Sequence, residues 1–331
     1  MRRREFIAGL MLAPVQQALA QQPARAKRIA MVSAAIKVVD MAINGNRAHR
    51  AFFEEMGRVG YVEGQNLVVE RYSGEGRTER YASLAREVVS TSPDLIFPTS
   101  GVLALNFKMV TSTIPIVAIT GDPVASGLVN SMARPGGNIT GATVDAGSAL
   151  HGKRVEFLLE ASPRLSNARF LASRSFWDGP IGSAVREAAK QAGISLALAL
   201  LDSDINEAAY RRVFSAMQED RVDALVVADQ SENFTYRRLL VELAAKYRMP
   251  AIYPSREHAE LGGLMSYSAD LSDIFRRIAN QIAEVLKGVS PAEIPFYQPT
   301  KFQLIINLKT ATALGLEIPQ TLLGRADEVI E

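Results

Sequence analysis

Short apolar runs alternate with amphipathic helical stretches along almost the whole chain. Ile29–Val32 is the first apolar run, and Phe52, Met56 and Val59 then follow at the i, i+4, i+7 spacing of one helix face. The same alternation begins again at 169–171, about 140 residues later. Near-continuous apolar strands separated by helices are typical of parallel sheets that are covered on both faces. The pattern therefore predicts an α/β protein with two similar lobes, each built on a parallel sheet.

The same periodicity predicts the other strands and one helix start. Predicted strands lie at 66–70, 95–97, 114–119, 139–144, 196–201, 224–228, 251–253, 262–267 and 302–308. Asp204 and Glu207 are three residues apart, which is the arrangement of a capping box, and they predict the start of the following helix. No low-complexity linker or solenoid repeat interrupts the series.

The first twenty residues, MRRREFIAGLMLAPVQQALA, have the pattern of an export signal peptide. Arg2–Arg4 form a cationic head, an apolar stretch follows at Phe6–Val15, and Ala18–Ala20 is a small-x-small cleavage site. Arg3–Ile7 also fits a twin-arginine signal, with an ordinary secretory leader as the alternative. A membrane anchor is disfavoured because the apolar stretch is about ten residues long and a span needs ~20. We expect residues 1–20 to be removed and the protein to work in the periplasm.

Composition narrows the class of partner. The 331 residues include 48% hydrophobic residues and no cysteine, so a large core must replace disulfides in an oxidising compartment. The leader holds three arginines and one glutamate, so without it the formal charge falls from +2 to zero. A neutral chain has no basic field for nucleic acid or anionic lipid, and we expect neither as a partner.

Catalytic and cofactor motifs are missing from the sequence. His49, His151 and His258 are far apart and lack the spacing of a metal site, so each is expected to be a surface or helix-packing histidine. No G-x-S-x-G, P-loop or G-x-G-x-x-G motif follows a predicted strand. The glycine-rich segment Gly136–Gly141 precedes a strand and is interpreted as a turn. We expect no enzyme activity, no cofactor and no metal.

Polar loops at the carboxyl ends of strands in the first half are candidates for a ligand site, since ligands of open parallel sheets bind there. Thr99, Ser100 and Gly101 begin a helix, whose free N–H groups and positive dipole end suit a carboxylate; simple N-capping is the alternative. Thr120 and Gly121 follow the fourth strand. Asp122 would either cap a helix that begins at Pro123 or receive an ammonium group. Ser33 ends the first strand.

The second half offers a facing set of candidates. Ser175 and Trp177 are predicted on a loop after the strand at 169–171, where Trp177 would form either the aromatic wall of a pocket or packing over a lobe edge. Asp229 would pair with a cationic group or cap the helix that begins near Glu232. Tyr253 and Tyr267 lie at further strand ends. Two facing sets of loops define a cleft that a hinge can close.

Nine motifs occur in one order over nearly the whole chain after the leader. They are Ile114–Val117, Gly121–Val124, Gly127–Val129, Ala133–Gly141, Gly262–Tyr267, Gln298–Phe302, Ile306–Ala311, Ala313–Leu316 and Ala326–Ile330. In this order they resemble the ABC-transporter solute-binding proteins of the tryptophan and tyrosine type. The match is weaker at 33–37 and 173–178, the loops that would carry selectivity for the side chain.

The resemblance implies a type I periplasmic-binding fold, in which two Rossmann-like lobes with parallel sheets are joined by a three-segment hinge and enclose a ligand between them. Under it the first lobe would comprise 28–145 plus 269–292, and the second 146–268 plus 293–331. It also implies delivery of a small-molecule ligand, unchanged, to an ABC permease in the inner membrane. We expect the protein to be a monomer. The expected ligand carries a carboxylate, as an amino acid or aromatic acid does.

Roles for the candidate residues follow from this expectation. Thr99, Ser100 and Gly121 would hold the carboxylate, Trp177 and Tyr267 would contact an apolar body, and Asp122 or Asp229 would pair with an amine. Two alternatives remain at this point. One is an exported sensory protein that reports to a membrane receptor or kinase, and the other is an exported sugar-active or redox enzyme on a similar frame.

Overall fold

The chain forms two α/β lobes, each built around its own sheet. The computed structural model describes residues 25–144, 147–202 and 205–331; the leader and Asp204 therefore lie outside the described residues. The first sheet is wholly parallel, with the strand order β2-β1-β3-β4-β5. Its strands are β1 (Lys27–Ser33), β2 (Leu67–Ser73), β3 (Leu95–Pro98), β4 (Ile116–Thr120) and β5 (Ile139–Thr143).

The second sheet has seven strands in the order β12-β11-β10-β9-β8-β6-β7. They are β6 (Asn167–Ser173), β7 (Ser195–Leu201), β8 (Ala224–Val227), β9 (Ala251–Tyr253), β10 (Met265–Ala269), β11 (Phe302–Asn307) and β12 (Glu328–Ile330). The pair β10–β11 is antiparallel, so this sheet is mixed, unlike the parallel sheet that the sequence predicts. The pairing is antiparallel because the chain leaves for the first lobe at the end of β10 and returns to the same edge of the sheet, where Phe302 of β11 pairs with Ala269 of β10.

Helices cover both faces of each sheet. They are α1 (Arg47–Arg58), α2 (Tyr81–Ser90), α3 (Gly101–Val110), α4 (Ser148–Ala161), α5 (Arg174–Asp178), α6 (Pro180–Gln191), α7 (Glu207–Glu219), α8 (Ser231–Thr235), α9 (Arg237–Lys246), α10 (Arg256–Glu260), α11 (Leu271–Leu286), α12 (Leu308–Leu314) and α13 (Gln320–Leu323). None of the helices within the described residues is long and apolar enough to cross a membrane.

Alternation along the strands divides the first lobe into two core layers. Ile29 and Met31 of β1 face α1 and α11, whereas Ala30 and Val32 face α2 and α3. The layer of α1 and α11 is aromatic as well as aliphatic, with the His49 ring edge-on to Phe275 at a centroid distance of 5.2 Å. All four strand residues are fully buried, which explains why the strand reads as a continuous apolar run.

α11 belongs to the first lobe although it follows ten strands in sequence. Ile274, Ile278 and Ile282 form its apolar stripe, and all three are fully buried against the layer that holds Phe52 and Met56 of α1. The chain thus passes between the lobes after β5, after β10 and again before β11. On this basis we propose the expected boundaries, 28–145 with 269–292 and 146–268 with 293–331, with one correction: Ile294, Phe296 and Tyr297 pack in the core of the first lobe, so that lobe extends to 297.

Three local predictions are wrong. The helix α7 is capped by Asn206, whose side chain accepts a hydrogen bond from Ala209 N at 3.1 Å, and not by the predicted box at Asp204. Asp122 and Pro123 begin a turn instead of a helix, because the Asp122 carboxylate accepts from Val124 N and Ala125 N at 2.8 and 2.9 Å. The predicted loop around Trp177 is the short helix α5.

Candidate ligand site at the strand ends

The two lobes meet through elements that follow the carboxyl ends of their strands. At the start of α1, Arg47 Nη2 lies 3.3 Å from Glu260 Oε1 at the end of α10. On the other side of the cleft, the backbone of Gly76 packs directly on the Thr235 side chain of α8. The strand ends of the first lobe therefore face those of the second, and the described conformation is closed at both places.

Three side-chain hydroxyls gather at the ends of β3 and β4, and we call Thr99, Ser100 and Thr120 the hydroxyl cluster. Ser100 is the N-cap residue of α3, but its side chain makes no capping bond. A Cβ on Gly101 would lie 2.5 Å from Thr120 Oγ1, so only glycine lets the first turn of α3 approach that hydroxyl. Within the described residues none of the three hydroxyls has a hydrogen-bond partner. The hydroxyl cluster thus provides hydrogen-bond donors that have no acceptor in the described residues, at the positive end of a helix.

Other first-lobe candidates are used by the fold itself. Ser33 is 1% exposed, and its Oγ accepts from Ala35 N and Ile36 N at 3.3 and 2.9 Å. Asp122 is exposed, and one of its carboxylate oxygens accepts the two backbone hydrogen bonds of the turn that it begins. Gly121 is half-buried beside Thr120, with nothing within 4 Å of a Cβ built there. The sequence pattern does not indicate that the Ser33 hydroxyl accepts the hydrogen bonds of the turn after β1.

Two buried amides order the facing strand ends of the second lobe. Gln230 Oε1 accepts from Ser173 N at 3.0 Å, and the Asn233 amide donates to the carbonyls of Leu171 and Ala228 at 3.3 and 2.9 Å. Asn233 also accepts from Tyr210 Oη at 2.9 Å. Sequence reasoning missed both residues, and the only available signal was their position just after a strand. They fix where β6 and β8 end, and so where the cleft wall lies.

The acidic and hydroxyl candidates of this lobe lie on the surface of these ends. Asp229 is exposed, and the N-cap residue of α8 is Gln230, so the predicted capping role of Asp229 is wrong. Ser175 is exposed, with its Oγ 3.1 Å from Ser173 Oγ. Burial raises the pKa of the nearby Glu232 carboxyl, and the Glu79 carboxylate of the other lobe adds to this.

The three aromatic candidates pack within the second lobe. The Trp177 ring is tilted against Phe170 at a centroid distance of 6.3 Å and lies 4.5 Å under the Arg186 guanidinium, which matches the lobe-edge alternative. The Tyr267 ring contacts Phe157 and Phe302 at 5.0 and 5.9 Å on the α4 face of the sheet. Sequence position alone does not tell which face of a sheet receives a strand-end side chain.

Tyr253 was predicted to line the ligand site, and this prediction is wrong. Its side chain is 1% exposed and points into the core layer of α7 and α9, because Ala251 and Tyr253 share the apolar face of β9. The ring stacks on His258 at 4.9 Å, and burial raises the pKa of the phenol. A fully packed ring in this layer does not line the cleft.

All three histidines are buried helix-packing residues. Burial lowers the pKa of His49 and of His258 to about 4 each, so both rings are neutral near neutral pH. Within the described ranges no three His, Cys, Asp or Glu side chains are grouped closely enough to hold a metal ion.

The glycine-rich segment before β5 is structural. Gly136 has a φ of +74°, and a Cβ on Gly141 would lie 1.9 Å from the Ala118 carbonyl oxygen. Asn138 donates to the Ile114 carbonyl at 2.8 Å, and Thr140 Oγ1 donates to the Ile294 carbonyl at 2.6 Å. The predicted turn is therefore confirmed, and it also anchors the segment that returns from α11.

Comparison with known proteins places the chain in a family. The model of the ABC transporter substrate binding protein family matches residues 46–330. A tyrosine-binding protein of Clostridioides difficile is 26% identical over 282 residues, covering 82% of this chain and 77% of that protein. The chain belongs to the ABC transporter substrate-binding protein family, as the sequence motifs predict.

Solved structures support the fold. An ABC domain of Streptococcus pneumonia in complex with L-Trp has a TM-score of 0.81 at 22% identity, and a conserved domain protein of Vibrio cholerae has 0.81 at 21%. Each match covers 92% of this chain and 100% of the other. The two-lobed α/β architecture expected from the sequence is confirmed.

Proposed function

We propose that this protein is the periplasmic solute-binding component of an ABC importer. It captures a small carboxylate-bearing solute, an amino acid or aromatic acid, between its lobes and delivers it unchanged to an inner-membrane permease. The signal peptide supports export, and the family supports the transporter. The named ligands of the relatives, tyrosine and L-Trp, support the solute class.

The observation that carries the proposal is the hydroxyl cluster. Thr99, Ser100 and Thr120 have hydroxyls without partners in the described chain, and they surround the first turn of α3. A carboxylate accepts hydrogen bonds from such hydroxyls and from free N–H groups, and the helix dipole favours its charge. Gly121 extends the same strand end. Asp122 or Asp229 is the proposed partner of an amine, and Ser175 lies across the cleft.

Closure completes the site. The contacts of Arg47 with Glu260 and of Gly76 with Thr235 exist only when the lobes are together. A solute that touches both lobes favours the closed state, because it gains contacts there that the open state lacks. No step of this cycle changes the solute covalently.

A thermal-shift screen against amino acids, aromatic acids and their methyl esters tests the proposal. A solute at 100 times its Kd should stabilise the protein by roughly 2.7 kcal/mol, and the ester of the same solute should not. Ser100→Ala should weaken binding at least tenfold, whereas Ser112→Ala, an exposed serine at the far end of α3, should not change it. Equal stabilisation by acid and ester, or turnover of the solute seen by mass spectrometry, would contradict the proposal.

A further inference from the structure

A cavity of about 290 Å³ lies between the lobes, beside the point where the chain passes from β10 to α11. We call it the hinge cavity. The first lobe contributes Asn46–Ala48 and Arg50 from the start of α1, and the second lobe contributes Arg256, Glu257 and Glu260 of α10. None of the residues singled out from the sequence lines it. Its volume suits a compact solute, since ligand pockets begin at roughly 300 Å³.

Part of the charge around the hinge cavity is already paired. Arg256 Nε lies 2.7 Å from Glu260 Oε1, and Arg256 Nη2 forms an ion pair with Glu328. Arg47 pairs with Glu260 from the opposite lobe at 3.3 Å. Glu260 and both arginines therefore each have an ion-pair partner already.

Within the described chain, one cation and two anions of the lining form no ion pair, namely Arg50, Glu257 and Asp270. The Asp270 carboxylate already caps α11, since it accepts from Ser272 N and Asp273 N at 2.9 and 3.4 Å. Among the described residues, the Arg50 guanidinium forms no ion pair or hydrogen bond. Glu257 Oε2 is buried without a hydrogen-bond partner, although the positive field of Arg237 reaches that carboxylate. A buried polar atom without a partner destabilises the folded protein, so a ligand that bonds to Glu257 regains that free energy.

The first turn of α1 adds donors on the Arg50 side. The Asn46 side chain accepts from His49 N at 3.0 Å, and it leaves the N–H groups of Arg47 and Ala48 without an acceptor in the described residues. These N–H groups lie at the positive end of a 12-residue helix. An anionic group near Arg50 would be favoured by the guanidinium and by the helix together.

We propose that the hinge cavity is a second ligand site, which takes a small zwitterion. Its carboxylate pairs with Arg50 and the first turn of α1, and its ammonium group pairs with Glu257. A simple anion would leave Glu257 unpaired, and a simple cation would leave Arg50 unpaired. Because the zwitterion contacts both lobes, it favours the closed state and so strengthens solute binding at the hydroxyl cluster.

Thermal shift and isothermal titration calorimetry with glycine, L-serine and L-glutamine test this site in the full chain. Acetate and methylammonium, at matched ionic strength, each supply one half of the zwitterion. We expect the amino acids to stabilise the wild type and the two half-molecules to have no effect. Arg50→Gln and Glu257→Gln should each weaken amino-acid binding at least tenfold. The matched controls Arg86→Gln and Glu242→Gln, both at exposed positions away from the cavity, should leave it unchanged.

The Ser100→Ala variant separates this proposal from the proposed function. If zwitterion binding survives in Ser100→Ala and fails in the Arg50 and Glu257 variants, the hinge cavity is the site of that binding. If binding fails in Ser100→Ala and survives in the other two, the hydroxyl cluster binds the amino acid and the second site is refuted. Stabilisation by acetate equal to that by glycine, or no response of the wild type to any amino acid at about 10 mM, also refutes it.

Discussion

The contact of Gly76 with Thr235 across the two lobes makes Gly76→Ala an informative substitution. Gly76 lies after β2 with a φ of +74°, and its N–H donates to the Ala34 carbonyl at 2.7 Å. A Cβ there would lie 2.3 Å from Thr235 Oγ1, and that hydroxyl is itself held by a 2.9 Å bond to the Ser231 carbonyl. Ordinary contact begins at 3.4 Å, so the lobes must separate by about 1 Å or α8 must shift.

The expected effect has two parts that a control separates. Alanine in the left-handed region costs about 1–2 kcal/mol of folding free energy, wherever it is placed. Gly193→Ala at a φ of +72°, with nothing within 4 Å of the new Cβ, should show this cost alone. Gly76→Ala adds an overlap of about 1–3 kcal/mol that exists only in the closed state, which corresponds to roughly 5- to 150-fold weaker solute binding.

Isothermal titration calorimetry with the solute identified by screening measures this difference. Gly76→Ala should bind more weakly than Gly193→Ala, and small-angle scattering should show incomplete compaction on solute addition. Thr235→Ala, which removes the two side-chain atoms at 2.3 and 3.1 Å, should restore binding when combined with Gly76→Ala. Equal affinity of the Gly76→Ala and Gly193→Ala variants would refute closure through this contact.

Three further outcomes are expected. His49 and His258 are protonated below pH 6.5 in the unfolded chain but only near pH 4 in the folded chain, so the free energy of unfolding should fall by about 2 kcal/mol per histidine from pH 7 to pH 5. Urea unfolding of His49→Gln should show a smaller fall over this pH range, and an unchanged fall would contradict the lowered pKa of His49. Gly141→Ala should destabilise by more than about 3 kcal/mol in chemical denaturation, because its Cβ would meet the Ala118 carbonyl at 1.9 Å, and a well-folded variant would disprove this packing. Arg47→Ala should change the free energy of unfolding by less than about 1 kcal/mol, because the Arg47 and Glu260 side chains are 66% and 37% exposed and an exposed ion pair contributes little. A larger loss in thermal melts that does not depend on salt would contradict this expectation.

Sequence periodicity predicts this fold well because burial repeats along it. Ile29–Val32 is a continuous apolar run because both faces of β1 are covered. The apolar stripe of α11 is clear in the sequence because one face of that helix is buried along its length. The antiparallel entry of β11 was not predictable, because strand direction depends on the route of the chain through the other lobe.

The candidate site was predictable only in part. The loops at Thr99 and Thr120 could be found because strand ends and helix starts are visible in the pattern. The core position of Tyr253 and the turn held by Asp122 depend on side-chain direction, which periodicity does not give at a strand end. Arg50 and Glu257 lie on helices that pattern analysis treats as solvated faces, and only the approach of the lobes brings them to one cavity.

The packing of α11 on α1 also sets the order in which the molecule can mature. Until Leu286 has been synthesised, the apolar surface of Phe52 and Met56 has no helix to cover it, so the nascent amino-terminal half stays incomplete while nearly all of the other half is made. A fragment that ends before residue 271 would expose that surface to water and to other chains. Completion of this core layer therefore has to wait for α11, and α1 presents the uncovered apolar surface until then.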